Sequence, residues 1–296
     1  MSIPQRIAIT GASGLIGTAL VGHLKSEGHT VQRLVRRAPV SSDEVQWDPQ
    51  TGFVDLEPLR GVDAIIHLAG VGVGDKRWNK KFKCEILNSR LLGTTAIANA
   101  VAELKPQVFI SASAIGWYGE SGNRAVVETD RAGDDFLAAV CREWEAAANL
   151  AGEVRTVKIR TGLVLDPTGG ALGKMLPLFR LGLGGKMGNG KQWWSWITLH
   201  DQIRAIVFAL EHPISGPVNV SAPNPVTNQE FTSALARAMH RPAIFPVPGI
   251  ALKIALGGFS SEILGSKRVI PHVLQEAGFT WDYPHISEAL AQLVED

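Results

Sequence analysis

The chain has 296 residues, of which 45% are hydrophobic, and its formal net charge is +1. This balance provides a sizeable core and lacks the basic excess expected of a protein that binds nucleic acid or anionic membranes. The two cysteines, Cys84 and Cys141, do not have the spacing of a disulfide or zinc framework. The first residues lack a signal-peptide pattern, and no run of about 18 apolar residues occurs. We therefore expect a cytoplasmic protein with no metal, membrane or nucleic-acid partner.

Short apolar strands alternate with longer amphipathic segments through the first two thirds of the chain, as in a parallel sheet covered by helices. The strands are predicted at 6–10, 30–35, 63–68, 108–111 and 154–160, and the helices at 15–27, 79–104 and 135–150. Because helices cover both faces of such a sheet, its strands are apolar throughout. The predicted fold class is therefore α/β, a Rossmann-type doubly wound parallel sheet.

The character of the sequence changes after Arg160. Residues 162–190 are rich in glycine, and tryptophans follow at 193, 194 and 196; these could stack on a ligand or belong to the core. Further helices are predicted at 201–211, 228–239 and 287–294, with a strand at 217–220 that could return to the main sheet. We expect a Rossmann domain over 1–165, which 195–222 rejoins, and a smaller, interleaved C-terminal substrate lobe over 166–296.

A glycine-rich turn directly follows the first predicted strand and opens the first predicted helix. Gly11 suits a tight turn, Gly14 lets the backbone approach a pyrophosphate, and Gly17 lets helix and strand pack closely. The N–H groups at the start of the helix would then bind the phosphates. The predicted dinucleotide contacts in this run are Thr10, Gly11, Ser13, Gly14, Leu15, Ile16 and Gly17.

The end of the second predicted strand distinguishes the two nicotinamide cofactors. NAD sites place a carboxylate there, whereas NADP sites offer an arginine for the 2′-phosphate. This strand ends in Arg36 and Arg37, and no acid occurs before Asp43. A guanidinium suits a phosphate through charge and paired donors. The sequence therefore predicts NADP(H), with Arg36 the better candidate, although the two arginines could also be a solvated surface pair.

Several motifs resemble those of the extended short-chain dehydrogenase/reductase superfamily, over the whole chain. Besides the glycine spacing, they include HLAG at 67–70 and SAS at 111–113. Longer motifs are similar to the branch of epimerase family proteins whose substrate is unassigned. These are KRW at 76–78, SR at 89–90, GWYG at 116–119, RTGLVL at 160–165 and the run from 175 to 201.

The resemblance implies a role for residues at the ends of several strands. Ser113 would occupy the position of the superfamily's active-site Ser/Thr, which hydrogen-bonds a substrate carbonyl or hydroxyl; the alternative is a hydroxyl satisfied within its own turn. The cofactor contacts implied by this part of the chain are Leu68, Ala69, Gly70, Arg90, Ser111 and Leu163.

The chain departs from the superfamily at its catalytic pair. The resemblance implies a Tyr-x-x-x-Lys helix, but aligning Glu145 with the family's glutamate places Leu137 and Cys141 at the Tyr and Lys positions. The chain's tyrosines are at 118 and 283, so neither lies in that helix. Tyr118 could instead face the cleft as a general acid with its pKa lowered by Arg90, or form a pocket wall.

Two functions remain open from the sequence. The first is an NADP(H)-dependent oxidoreductase or epimerase acting on a small, partly apolar substrate. The second is a cofactor-binding sensor that acts through a protein partner. The resemblance also implies a homodimer through the helices at 79–104 and 135–150. The expected contacts, which could equally face the sheet, are Ile86, Ala96, Ala100, Ala139 and Ala146.

Overall fold

An eight-stranded sheet forms the centre of the fold in this computed structural model, which describes residues 3–295. The strands of the whole described chain, in this sheet and in smaller two-stranded ones, are β1 (Arg6–Thr10), β2 (Thr30–Val35), β3 (Glu44–Asp48), β4 (Phe53–Val54), β5 (Ala64–His67), β6 (Val108–Ala114), β7 (Ala125–Val126), β8 (Arg155–Thr161), β9 (Leu163–Asp166), β10 (Trp193–Trp194), β11 (Trp196–Thr198), β12 (Gly216–Val220), β13 (Val226–Thr227) and β14 (Arg268–Val269). The main sheet has the order β12–β8–β6–β5–β1–β2–β3–β4. Its neighbours pair in parallel except β4, which is antiparallel to β3.

Helices cover both faces of this sheet. The helices of the described chain are α1 (Leu15–Ser26), α2 (Lys80–Leu104), α3 (Phe136–Ala148), α4 (Gly170–Arg180), α5 (Leu199–Glu211), α6 (Asn228–Ala238), α7 (Gly249–Leu256), α8 (Ser260–Leu264), α9 (His272–Glu276) and α10 (Ile286–Glu295), and α1, α2, α3 and α5 cover the sheet. In β1, Ile7 and Ile9 pack in one core with α1 and α5, while Ala8 packs in the opposite core with α2 and α3. The strand side chains alternate between two covered faces, which confirms the predicted Rossmann-type α/β fold.

A further core, separate from the two on the sheet faces, belongs to the C-terminal part of the chain. Trp196, Phe231 and Leu290 are fully buried in it, among residues of α4, α6 and α10. Strand β12 lies beside β8 at the edge of the main sheet, and the boundary at residue 165 stays a prediction. Among residues 3–295, none of the helices combines the length and the apolarity needed to span a bilayer.

The predicted dimer contacts are partly wrong. Ile86, Ala96 and Ala100 are buried inside the chain, because this side of α2 faces its own core. Ala139 is half-buried and Ala146 is exposed on α3. Homodimerisation itself stays a prediction, with Ala139 and Ala146 of α3 the predicted contacts that remain accessible.

Candidate functional site

The loop between β1 and α1 can be formed only with glycine at two positions. Gly11 has φ +70°, and a Cβ on it would lie 2.8 Å from the backbone nitrogen of Ala69. A Cβ on Gly17 would lie 2.1 Å from the carbonyl oxygen of Gly11. The loop therefore packs tightly against both the chain after β5 and the first turn of α1.

The start of α1 is open to an anion. A Cβ on Gly14 would meet only one atom within 4 Å, at 3.4 Å, and Ser13 and Gly14 are exposed. Within the described chain, no side chain caps α1 and no acid lies in its first turn. Leu15 and Ile16 are half-buried beside this opening. Free N–H groups at a helix N-terminus fit a pyrophosphate, so the loop has the shape and polarity that a dinucleotide requires.

The side chain of Thr10 supports the loop from inside the protein. Its hydroxyl accepts hydrogen bonds from the backbone N–H groups of Leu68 and Ala69, at 3.2 and 3.3 Å, and lies 2.7 Å from His67 Nδ1. Burial lowers the pKa of His67 to about 3, which keeps the imidazole neutral. Thr10 and His67 therefore join the ends of β1 and β5.

Three arginines at the end of β2 have different surroundings. Arg33 is paired with Asp43 at 3.0 Å, and Arg37 forms two hydrogen bonds to Glu44, at 2.6 and 2.7 Å. The hydrogen bond from Arg37 lowers the pKa of the buried Glu44 to about 2. Arg36 is exposed and has no hydrogen bond or ion pair among the described residues. Of the two arginines predicted to bind the cofactor, only Arg36 is therefore free to take a phosphate.

The chain that follows β5 lies beside the glycine loop and forms another side of the candidate site. Ala69 is half-buried and Gly70 is exposed. A Cβ on Gly70 would lie 3.6 Å from the guanidinium carbon of Arg90. That guanidinium lies 4.8 Å from the Trp144 ring and donates a hydrogen bond of 2.9 Å to the Val71 carbonyl. Arg90 is thus held in place beside the exposed glycine, where the resemblance implies the cofactor.

A buried polar network lies behind Ser113. The Ser113 hydroxyl donates a hydrogen bond of 2.7 Å to Glu145 on α3, and Arg160 donates to both oxygens of that carboxylate, at 2.8 and 3.0 Å. Ser113 and Asn219 both lie opposite Arg160 in strand register. Only 2% of Arg160 is exposed. Sequence reasoning missed this ion pair, although Arg160 follows the buried Val157 and Ile159 in β8, RTVKIRT, and is itself buried.

The predicted pairing of Tyr118 with Arg90 is wrong. The Tyr118 hydroxyl donates to Asn219 at 2.7 Å and accepts from Arg160 at 3.0 Å. Burial raises the pKa of Tyr118 to about 12 despite the charge of Arg160. Only 3% of Tyr118 is exposed, and only 4% of Ser113. The Tyr118 hydroxyl both donates and accepts within the protein and has a raised pKa, so it is not placed to act as the acid.

Helix α3 has neither tyrosine nor lysine, and the residues aligned with that pair, Leu137 and Cys141, are buried. Leu137 packs near Gly116, and the Cys141 thiol lies 3.7 Å from the Ala114 carbonyl. Burial raises the pKa of Cys141 to about 12, which rules it out as a thiolate nucleophile at neutral pH. Ser111 is also buried, with its hydroxyl 3.3 Å from the Ala112 carbonyl. Leu163 is half-buried at the start of β9.

The remaining polar groups near the second lobe are held by the protein itself. Trp196 is core, while Trp194 is half-buried and lies 5.2 Å from the Phe231 ring. His200, Asp201 and Asp282 come close enough to share a metal ion. The guanidinium of Arg204 already lies within 2.8 Å of Asp201 and 3.2 Å of Asp282, so a cation occupies this position.

The sheet, the glycine loop and the edge described above define a protein of the Rossmann class, and comparisons with known proteins agree. The NAD dependent epimerase/dehydratase family matches residues 7–221, and a domain of unknown function, DUF1731, matches residues 247–293. An epimerase family protein of Mycobacterium bovis is 46% identical over 288 residues, which cover 96% of each chain.

Two further relatives extend this similarity. The epimerase family protein SDR39U1 of Bos taurus is 36% identical and covers 98% of this chain and 100% of its own. The crystal structure of human SDR39U1 (isoform 2) with NADPH has a TM-score of 0.91 and 33% identity, covering 98% of this chain and 99% of that one. The chain therefore belongs to the NAD dependent epimerase/dehydratase family, within the extended short-chain dehydrogenase/reductase superfamily. This family binds nicotinamide nucleotides.

Proposed function

We propose that the protein is an NADP(H)-dependent oxidoreductase or epimerase that acts on a small, partly apolar substrate. The observation that carries the proposal is the free Arg36 at the end of β2, the strand that pairs in parallel with β1, whose own end leads into the open start of α1. A dinucleotide bound with its pyrophosphate at α1 places the adenosine ribose at the end of the second strand. A 2′-phosphate at that ribose would find an arginine with all of its donors available.

The solved relative with NADPH supports the same cofactor. In the site of this chain, the nicotinamide would supply or accept a hydride, while the chain's own residues would hold and orient the cofactor. The residues proposed to contact the cofactor are Thr10, Gly11, Ser13, Gly14, Leu15, Ile16, Gly17, Arg36, Leu68, Ala69, Gly70, Arg90, Ser111 and Leu163. Thr10 and Ser111 have hydroxyls engaged within the protein, so their contribution is to shape the backbone around it.

Ser113 is the proposed substrate-binding residue, and its hydrogen bond limits what it can bind. Its proton points to Glu145, which the salt bridge with Arg160 keeps as an acceptor. A serine that donates inward has only lone pairs to offer outward. It therefore suits a substrate that brings its own donor, such as an alcohol, better than a bare carbonyl. Leu163 and Val164 are half-buried at the start of β9 and would supply apolar contacts to the substrate.

The test is a screen for turnover with small, partly apolar alcohols and ketones, following the NADPH absorbance band with either NADP⁺ or NADPH present. For chiral alcohols the configuration of the product is also measured, because an epimerase regenerates its cofactor and leaves the band unchanged. We expect oxidation of at least one alcohol class. Ser113→Ala should lower kcat/KM by about tenfold or more, the value of a lost hydrogen bond of about 1.5 kcal/mol. The affinity for NADPH should not change, because Ser113 is not a proposed cofactor contact.

Two results would contradict the proposal. One is the absence of turnover across the panel by protein that binds NADPH. The other is a Ser113→Ala variant with full activity, which would show that the serine only satisfies Glu145. The sensor alternative has no specific observation in residues 3–295 to favour it.

A further inference from the structure

Large apolar side chains are exposed together on the C-terminal part of the chain. Six of the eleven exposed large hydrophobic residues in the described chain lie within residues 181–254, each 51–73% exposed. We call them the apolar face: Leu181, Leu183, Ile244, Phe245, Ile250 and Ile254. Scattered exposed hydrophobics are ordinary, whereas a group of this kind marks an interaction surface.

The segments that carry the apolar face are joined to one another. The backbone N–H of Val247 donates to the Lys186 carbonyl at 2.8 Å, and Gly188 donates to Val247 at 2.9 Å. These bonds hold the loop after α4 against the segment that leads into α7. In α7 only Leu252 is buried, while Ile250 and Ile254, one turn apart, are 73% and 71% exposed. The chain's own core therefore does not explain the apolar sequence of α7, GIALKIAL.

The same segments are strongly basic. Residues 167–199 and 231–261 contain seven lysines and arginines and no aspartate or glutamate, although the whole chain has 29 basic and 28 acidic residues. Arg180 and Lys253 directly precede Leu181 and Ile254 of the apolar face, and Arg241 lies three residues before Ile244. Within the part of the chain that the structure describes, none of the seven is in a salt bridge. All aspartates and glutamates therefore lie outside these two segments, and the net charge of +1 does not show this uneven distribution.

We propose that the apolar face and its basic border dock the protein onto an anionic lipid surface. Exposed Ile, Leu and Phe side chains can enter the boundary between headgroups and acyl chains. Lysine and arginine bury their aliphatic stems while their charges meet anionic headgroups. A second copy of the chain fits this surface poorly, because two such faces would bring the unpaired cations at their borders, such as Arg180 and Lys253, toward like charges. This peripheral contact differs from the expectation drawn from the overall charge, which averages over the two parts.

The experiment is a flotation assay of the full chain with two kinds of vesicle, one of phosphatidylcholine and one that also contains phosphatidylserine. We expect binding to the anionic vesicles only, weakening as salt is raised. Arg180→Gln with Lys253→Gln should weaken this binding about thirtyfold, which corresponds to about 2 kcal/mol. The matched control is Arg131→Gln with Lys105→Gln, two exposed cations that precede α3 and follow α2 and form no salt bridge within residues 3–295. It should bind as the wild type does.

A second matched pair tests the apolar contribution without changing charge. Phe245 and Phe53 are 54% and 51% exposed, and Phe53 lies on the edge strand β4. Phe245→Ser should reduce vesicle binding at least fivefold, whereas Phe53→Ser should not, with thermal unfolding used to show that both variants fold.

Three results would overturn the proposal. The first is no binding of the wild type to anionic vesicles at low salt, and the second is equal binding to both kinds of vesicle. The third is a dimer in light scattering that Phe245→Ser dissociates, because the face would then be an interface between copies.

Discussion

Replacing Arg36 with alanine tests how the protein chooses between NADPH and NADH. Arg36 is exposed at the end of β2 and makes no contact with an acid, whereas Arg37 is bound to Glu44 at 2.6 Å. The change therefore removes a cation without leaving a buried carboxylate unpaired. We expect Arg36→Ala to weaken NADPH binding and to leave NADH binding nearly unchanged, since only NADPH has the 2′-phosphate.

The expected loss follows from the value of one charged hydrogen bond. Such a bond contributes about 1.5–3 kcal/mol, or ten- to about a hundredfold in affinity. Because Arg36 is exposed, ions screen it, with a Debye length of about 8 Å at physiological salt. We therefore expect a loss near tenfold there and a larger one at low salt. Wild-type protein should bind NADPH at least tenfold more tightly than NADH.

Calorimetric titration of both cofactors at two salt concentrations provides the measurement, with Arg37→Ala as the control. That variant should retain the preference for NADPH. Its free energy of unfolding should fall, because the Glu44 side chain is only 2% exposed and would lose its closest arginine partner. Equal binding of the two cofactors by the wild type would refute the arginine argument. A preference that Arg37→Ala abolishes and Arg36→Ala does not would refute the choice of residue.

Three further predictions concern stability and the buried polar groups. Gly17→Ala should cost about 1–3 kcal/mol of unfolding free energy, because its Cβ would lie 2.1 Å from a backbone oxygen; Gly14→Ala, with its contact at 3.4 Å, should unfold like the wild type. His67 has a folded pKa of about 3, below the unfolded value of about 6.5, so stability should fall as the pH drops below that value. Urea unfolding at about pH 7 and pH 5 should show a loss of up to about 2 kcal/mol, which His67→Gln should largely remove. Tyr118→Phe should cost about 1–3 kcal/mol, because an Arg160 donor loses its acceptor, while kcat stays the same; a large fall in kcat in a stable variant would restore Tyr118 as an acid.

The partners of Tyr118 could not be predicted from the motifs in the sequence. The sequence places Tyr118 five residues after Ser113, and Arg90 was the nearest candidate cation from the resemblance. The cation that meets Tyr118 is Arg160, which lies 42 residues away in the chain. Neither the partner nor the rise in pKa can be read from local sequence, because both depend on which strand lies next to β6.

The sequence by itself determined the elements that depend on local chemistry. The apolar runs and the glycine spacing specify β1, α1 and the phosphate loop, because a positive φ at Gly11 and the approach of backbone at Gly17 exclude any side chain. Only the tertiary structure decided which polar side chains pair with one another and which remain free to bind a ligand. It paired Arg33 with Asp43, just before β3, and Arg37 with Glu44, the first residue of β3, and left Arg36 without a partner among residues 3–295. The pairing of β2 with β3 brings these side chains together, and the sequence alone does not show that pairing.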